Sequence, residues 1–141
     1  MKRLAVLAAV LAVFSAAAAF GFVQQFERFS IDVPEGWGAN QDGSTVILIK
    51  NDRTASMSIT VADTEGMNRK ALAEAFVKEL NGKNLERDSD GDYSFEMVNA
   101  NGVTSHALLT GDDDIYCLFV MTGLENARED ISAILGSVKT K

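Results

Sequence analysis

Four short segments of strand-like sequence follow one another between Asn84 and Thr122, with compact turns between them. The segments are roughly Asn84–Arg87, Tyr93–Val98, Val103–Thr110 and Ile115–Thr122. The connections at 88–92, 99–102 and 111–114 consist mostly of Asp, Asn and Gly, which tolerate tight turns. Strands joined by such short loops pair with their sequence neighbours in opposite directions. This half of the chain therefore predicts an antiparallel meander.

Three further strands are predicted before the meander. Phe29–Val33 alternates apolar and polar residues, as a half-buried strand does, and Pro34 ends it. Thr45–Lys50 is a continuous apolar run, which predicts a strand that is covered on both faces. Ser56–Val61 alternates again. The leader from 20 to 28 carries no predicted element.

Two helices are predicted, at 68–81 and 126–138. Asn68 is a suitable N-cap for the first, and Gly82 follows its last turn. In the second, Asn126 and Glu129 have the spacing of a capping box. Apolar residues of this helix recur at the spacing of one amphipathic face, namely Ile131, Ile134, Leu135 and Val138.

The order of elements defines the fold class. Three strands, a helix, four strands and a helix predict an α+β domain with a central, mainly antiparallel sheet of about six to seven strands. Strands that are covered on both faces place the helices on opposite sides of that sheet, which makes an α/β/α sandwich.

The N-terminal segment has the three parts of a secretory signal peptide. Lys2 and Arg3 form a basic head, an uncharged run follows, and small residues end at Ala19. We therefore expect a signal peptide at 1–19, a single domain at 20–141, a periplasmic or secreted location, and no stable membrane insertion after cleavage. The alternative is a retained anchor, since Leu4–Val23 is uncharged and about long enough to span a bilayer.

The charge balance bears on the class of partner. The chain has 13 basic and 20 acidic residues, a net charge of −7. Without Lys2 and Arg3 the basic residues number 11 and the net charge becomes −9. Such a surface repels phosphate backbones, so nucleic acid is not an expected partner. It suits a cationic partner or a divalent ion, or simply keeps the domain soluble.

Six aspartates in two turns of the meander form the candidate binding site. The first and third turns of an up-and-down meander emerge at the same end, about 10 Å apart. We call this cluster the acidic rim: Asp88, Asp90, Asp92, Asp112, Asp113 and Asp114. It should attract a basic protein surface or a cation such as calcium. The Asp88–Asp92 turn departs from a calcium loop, because its glycine is at position four and position twelve is Asn99.

No catalytic residues are assigned. The single cysteine, Cys117, lies among apolar residues, where a thiol behaves as a small hydrophobe. The single histidine, His106, could meet it only if the two lie side by side on adjacent strands. No cofactor is expected apart from calcium at the acidic rim.

A family resemblance rests on the first strand and its turn, Phe29-x-Ile31-x-Val33-Pro34-x-Gly36-Trp37. This motif and the order of elements resemble the PsbP-like superfamily, which includes PsbP, the Ran release factor and the bacterial periplasmic DcrB group. The resemblance implies an α/β/α sandwich and a role in binding or assembling other proteins. Trp37 either packs over the sheet or, if exposed, marks a contact site.

Two functions follow from these patterns. The first is an exported, non-catalytic binding or assembly module with an unknown protein partner in the cell envelope. The alternative is a protein that binds a divalent cation or a small ligand at the acidic rim.

Overall fold

The computed structural model describes residues 22–140, so the predicted signal peptide lies outside the described residues. Within that range the chain forms ten strands, two helices and one 3₁₀ turn at Leu124–Asn126. The strands are β1 (Phe22–Gln25), β2 (Phe29–Val33), β3 (Trp37–Asp42), β4 (Thr45–Lys50), β5 (Ser56–Asp63), β6 (Lys83–Arg87), β7 (Tyr93–Val98), β8 (Thr104–Gly111), β9 (Ile115–Thr122) and β10 (Lys139–Thr140). The helices are α1 (Arg69–Glu79) and α2 (Arg128–Ser137).

Seven of the strands form one antiparallel sheet in the order β3-β4-β5-β9-β8-β7-β6. Helix α1 carries the chain from β5 in the middle of the sheet to β6 at one edge. The meander then returns strand by strand until β9 pairs with β5. A small second sheet has the order β1-β2-β10. The predicted α+β class and the meander are therefore confirmed.

Two apolar clusters lie on opposite faces of the large sheet. One lies between the sheet, β2 and α2, and its members include Trp37, Leu48, Ile59, Phe119 and Ile134. The other lies under α1 and consists of Leu72, Ala73, Phe95, Ala107, Leu109 and Leu118. The central strand β9 supplies alternate residues to both clusters, because successive side chains of a strand point to opposite faces. The layers are those of an α/β/α sandwich.

The two helices differ in how well their beginnings were predicted. The side chain of Asn68 accepts a hydrogen bond from the backbone N–H of Ala71 at 2.8 Å, as an N-cap does. The predicted capping box of the second helix is wrong. Its N-cap is Ala127, which makes no side-chain hydrogen bond. Asn126 instead donates to the carbonyl of Thr54 at 3.0 Å, and so joins the 3₁₀ turn to the β4–β5 loop.

The prediction that β4 is covered on both faces is also wrong. Val46 and Leu48 are buried, but Ile47 is 37% exposed and Ile49 45% exposed. The helix on that side packs against β6, β7 and β8 and does not extend over β4. A continuous apolar run thus lies in a strand with one open face.

Strands β1, β3 and β10 were not predicted. Apart from Trp37, residues 37–42 are polar or small, with little strand propensity of their own. They form β3 because all six pair in register with β4. The short strands β1 and β10 flank β2, which holds them in the small sheet.

Candidate functional site

The two acidic turns lie at the same end of the large sheet. One connects β6 to β7 and the other connects β8 to β9, and these four strands are neighbours in the sheet. Because adjacent strands run antiparallel, alternate turns emerge at one end. The structure thus places all six aspartates of the acidic rim at that end.

Each turn is held by one aspartate that bonds to the backbone. The Oδ1 atom of Asp88 accepts hydrogen bonds from the N–H groups of Asp90 at 2.9 Å and Asp92 at 3.0 Å. Oδ1 of Asp112 accepts from Asp114 at 2.8 Å and Ile115 at 2.9 Å. These backbone donors lower the pKa of Asp112 from its ordinary value. Both side chains therefore shape the turns in which they lie.

A cation from α1 accompanies the aspartates. The guanidinium of Arg69 donates to Oδ1 of Asp92 at 3.0 Å, and its charge also lowers the pKa of Asp112 in the other turn. The pKa of Asp92 is nevertheless raised, because burial and the nearby charge of Asp88 outweigh the effect of Arg69. Arg69 thus neutralises part of the acidic rim.

A buried threonine fixes the second turn to the body of the domain. Thr64 is 2% exposed. Its hydroxyl donates to the carbonyl of Asp113 at 2.6 Å, and its N–H donates to the carbonyl of Asp114 at 2.9 Å. The backbone of this turn is therefore held from two sides, by Asp112 and by the segment that leads into α1.

Three carboxylates of the acidic rim remain on the surface without such a role, those of Asp90, Asp113 and Asp114. All three residues are exposed. Within residues 22–140, no group of three or more His, Cys, Asp or Glu side chains is placed to hold a metal ion. The rim is a fixed negative surface, and its carboxylates are spread along two turns.

Trp37 lies in the core. It is 0% exposed, and its indole N–H donates to Oδ2 of Asp130 at 2.9 Å. The bond joins β3 to the first turn of α2. Trp37 therefore offers no surface to a partner, and its role as an exposed contact residue is excluded.

Cys117 and His106 do not lie side by side. In the register of β8 and β9, Cys117 is opposite Thr110, whereas His106 is opposite Met121. Four residues along a strand separate the two by about 13 Å. Burial raises the pKa of the Cys117 thiol, which disfavours the reactive thiolate. No nucleophile–base pair forms from these residues.

A concave surface on β3 and β4 was missed by the sequence analysis. It has a volume of about 310 Å³, and its lining includes Gly38, Ile47, Ile49, Lys50 and Arg53. Its apolar part comes from the run at 45–50, whose continuous apolar sequence predicts burial on both faces. Only the placement of α1 shows that this half of the face is open.

Within residues 22–140, neither α1 nor α2 has the length and apolar composition of a membrane-spanning helix.

Comparison with known proteins places the fold. No family model matches the chain, and no curated protein matches it. The solution structure of cyanobacterial PsbP (CyanoP) from Synechocystis sp. PCC 6803 matches with a TM-score of 0.55 and 16% identity, over 80% of this chain and 86% of that chain. A crystal structure from Bacteroides thetaiotaomicron VPI-5482 matches with a TM-score of 0.54 and 16% identity, over 80% of this chain but 45% of that chain.

These matches identify the fold. The chain has a PsbP-like fold, as the motif around Pro34 and Trp37 indicated. At this level of identity the likeness concerns the fold alone.

Proposed function

We propose that this chain is an exported, non-catalytic module that binds a basic surface of another protein through its acidic rim. The observation that carries the proposal is the convergence of two internally bonded acidic turns at one end of the sheet. A surface that is already ordered loses little conformational entropy when a partner binds. A field of one sign also speeds the encounter with a partner of opposite charge.

The non-catalytic role is supported by the PsbP-like fold and by the separation of Cys117 from His106. A protein partner is favoured over a metal ion because three of the six carboxylates already accept hydrogen bonds within the protein. Asp88 and Asp112 bond to the backbone, and Asp92 bonds to Arg69. The carboxylates of Asp90, Asp113 and Asp114 are left exposed, which suits ion pairs with lysine and arginine side chains at a protein surface.

Capture experiments test the proposal. Asp90→Asn, Asp113→Asn and Asp114→Asn together remove three charges and leave the turn-forming side chains intact. We expect this variant to recover at least about tenfold less partner from envelope extract than the parent protein, and we expect parental binding to weaken as salt is raised.

The control removes the same number of charges elsewhere, through Glu35→Gln, Glu74→Gln and Glu125→Gln. These residues are exposed and lie outside the rim. Equal losses in the two variants would mean that only net charge matters, and undiminished capture by the rim variant would refute the proposal.

Export is tested separately by the N-terminal residue of the protein. We expect mass spectrometry of the periplasmic or secreted protein to find a chain that begins close to Phe20, after cleavage at Ala19. An uncleaved chain recovered with membranes would instead support the retained anchor.

A further inference from the structure

The two edges of the large sheet are protected to different degrees. The β6 edge carries exposed Lys83, Glu86 and Arg87, and its register with β7 shifts between Lys83 and Glu86. Edge charges and bulges of this kind prevent another strand from pairing. The β6 edge is therefore blocked.

The β3 edge has no bulge and carries a charge only at its last residue. All six residues of β3 pair with β4 without a register shift, and Asp42 is its one charged residue. Within residues 22–140 no strand pairs with the other side of β3. A regular edge of this kind is a template for one more strand.

Opposite charges lie at the two ends of this edge. Asp42 is exposed at the end of β3. At the beginning of β3, Arg53 shares the concave surface with Gly38, and the N–H of Asn51 holds this loop to the carbonyl of Gly36 at 2.8 Å. Neither Asp42 nor Arg53 forms an ion pair within residues 22–140. An antiparallel strand that also has a positive charge at its beginning and a negative charge at its end would place an opposite charge beside Arg53 and beside Asp42.

We propose that β3 pairs with β3 of a second copy of this chain, antiparallel and with Asn40 on the two-fold axis. Residue 38 of one copy is then opposite residue 42 of the other. Gly38 has no side chain, and the space around it is open, so the carboxylate of Asp42 in the second copy can approach Arg53. Two-fold symmetry forms this ion pair twice, as an isologous interface requires. The acidic rims remain free, because they lie on the meander and away from β3.

Sedimentation equilibrium of the exported protein over a range of concentrations tests the pairing. A single strand pair is a small interface, so we expect a dimer that dissociates on dilution. Asp42→Lys and Arg53→Asp each turn two attractions into repulsions and should weaken dimerisation on the order of tenfold. Aspartate is chosen because residue 53 has a φ of 62°, which aspartate tolerates. The variant Asp42→Lys with Arg53→Asp restores opposite charges and should recover parental dimerisation.

A disulfide test reports the register directly. At the two-fold axis the Cα atoms of residue 40 are about 4.5–5.5 Å apart, within reach of a disulfide. Asn40→Cys should therefore form a crosslinked dimer under mild oxidation, whereas Asn101→Cys, which is also at an exposed position, should not. Lys83→Glu on the β6 edge should leave dimerisation unchanged. A parental protein that stays monomeric at every concentration, a charge exchange that fails to restore dimerisation, or no excess of crosslinking at residue 40 would each overturn the proposal.

Discussion

Trp37 and Asp130 show how one residue pair joins two layers of this domain. The indole is fully buried between β3 and α2. Its N–H, the only polar group of the side chain, donates a hydrogen bond to the carboxylate of Asp130 at 2.9 Å. A buried N–H without an acceptor would cost about 1–3 kcal/mol, so the aspartate is what allows a tryptophan at this position. Trp37, which could have been a contact residue if exposed, therefore has a structural role.

Replacement of this indole measures that role. Trp37→Phe removes the N–H donor and leaves space in the core, and we expect it to lower the free energy of unfolding by about 2–4 kcal/mol. Asp130→Asn keeps an acceptor and should cost less. Urea denaturation of both variants checks the order, and a Trp37→Phe protein with parental stability would contradict the packing described here.

The carboxylate of Asp112 makes the stability of the β8–β9 turn depend on pH. Its pKa is lowered in the folded state by the N–H groups of Ile115 and Asp114. A carboxylate with a lowered folded pKa stabilises the fold above its unfolded value, and this contribution is lost as the pH falls through the folded value. The direction of the pH effect is therefore fixed.

The expected result concerns the variant Asp112→Asn, which keeps an acceptor but no charge. The parental protein should be more stable than this variant near neutral pH, and the difference should shrink as the pH falls from the ordinary pKa of 3.8 through the lowered folded pKa. Urea midpoints from pH 7 to pH 3 measure it, with Asp113→Asn as the control in the same turn. A difference that grows as the pH falls would contradict the assigned hydrogen bonds.

At the scale of single elements, a substitution within α2 should increase the stability of the domain. Gly136 lies inside it, and a Cβ at that position would meet no atom within 4 Å. Gly136→Ala should therefore raise the free energy of unfolding by about 0.5–1 kcal/mol, because it reduces the freedom of the unfolded chain.

The contrasting variant is Gly123→Ala, just before the 3₁₀ turn. Gly123 has a φ of 73°, and a Cβ there would collide with the carbonyl oxygen of Thr54. We expect this variant to lose at least about 1 kcal/mol. Thermal unfolding of the two proteins should move their midpoints in opposite directions, and a shift of the same sign would count against the geometry around α2.

Elements with a strong periodic signal were predicted, and elements that depend on a neighbour were not. The meander could be read from alternation and turn residues, and α1 from Asn68 and its apolar stripe. Strand β3 forms because it pairs with β4, and no pattern in the sequence predicts that pairing. The capping box failed at Asn126, because this side chain bonds to Thr54, 72 positions away in the chain. Long-range contacts of this kind override local patterns.

The candidate site was predicted in position but not in detail. Composition and strand alternation were sufficient to bring two acidic turns to one end. Nothing in the local sequence shows that Arg69 reaches Asp92, or that Thr64 holds the carbonyls of Asp113 and Asp114. Thr64 lies between β5 and α1, and Arg69 is the first residue of α1, so only the packing of α1 on the sheet brings both to the turns.

At the scale of the whole molecule, the hydrogen bonds within the acidic rim favour a protein partner over a metal ion. A ligand that binds the folded state raises the melting temperature in proportion to the logarithm of its concentration over its dissociation constant. Since Asp88, Asp92 and Asp112 are already bonded within the protein, we expect millimolar calcium to shift the midpoint by less than about 1 °C relative to chelator. A rise of several degrees that Asp90→Asn abolishes would instead establish a calcium site.

Site-specific photocrosslinking in the producing cells tests the acidic rim as a contact surface most directly. A photoreactive residue replaces Asp114 in the β8–β9 turn or, in the control, Asn101 in the β7–β8 turn at the opposite end of the sheet. Our account predicts a discrete crosslinked partner from position 114, its loss when Asp90 and Asp113 are neutralised, and none from position 101. Crosslinks of equal yield from both positions, or from position 101 alone, would contradict it.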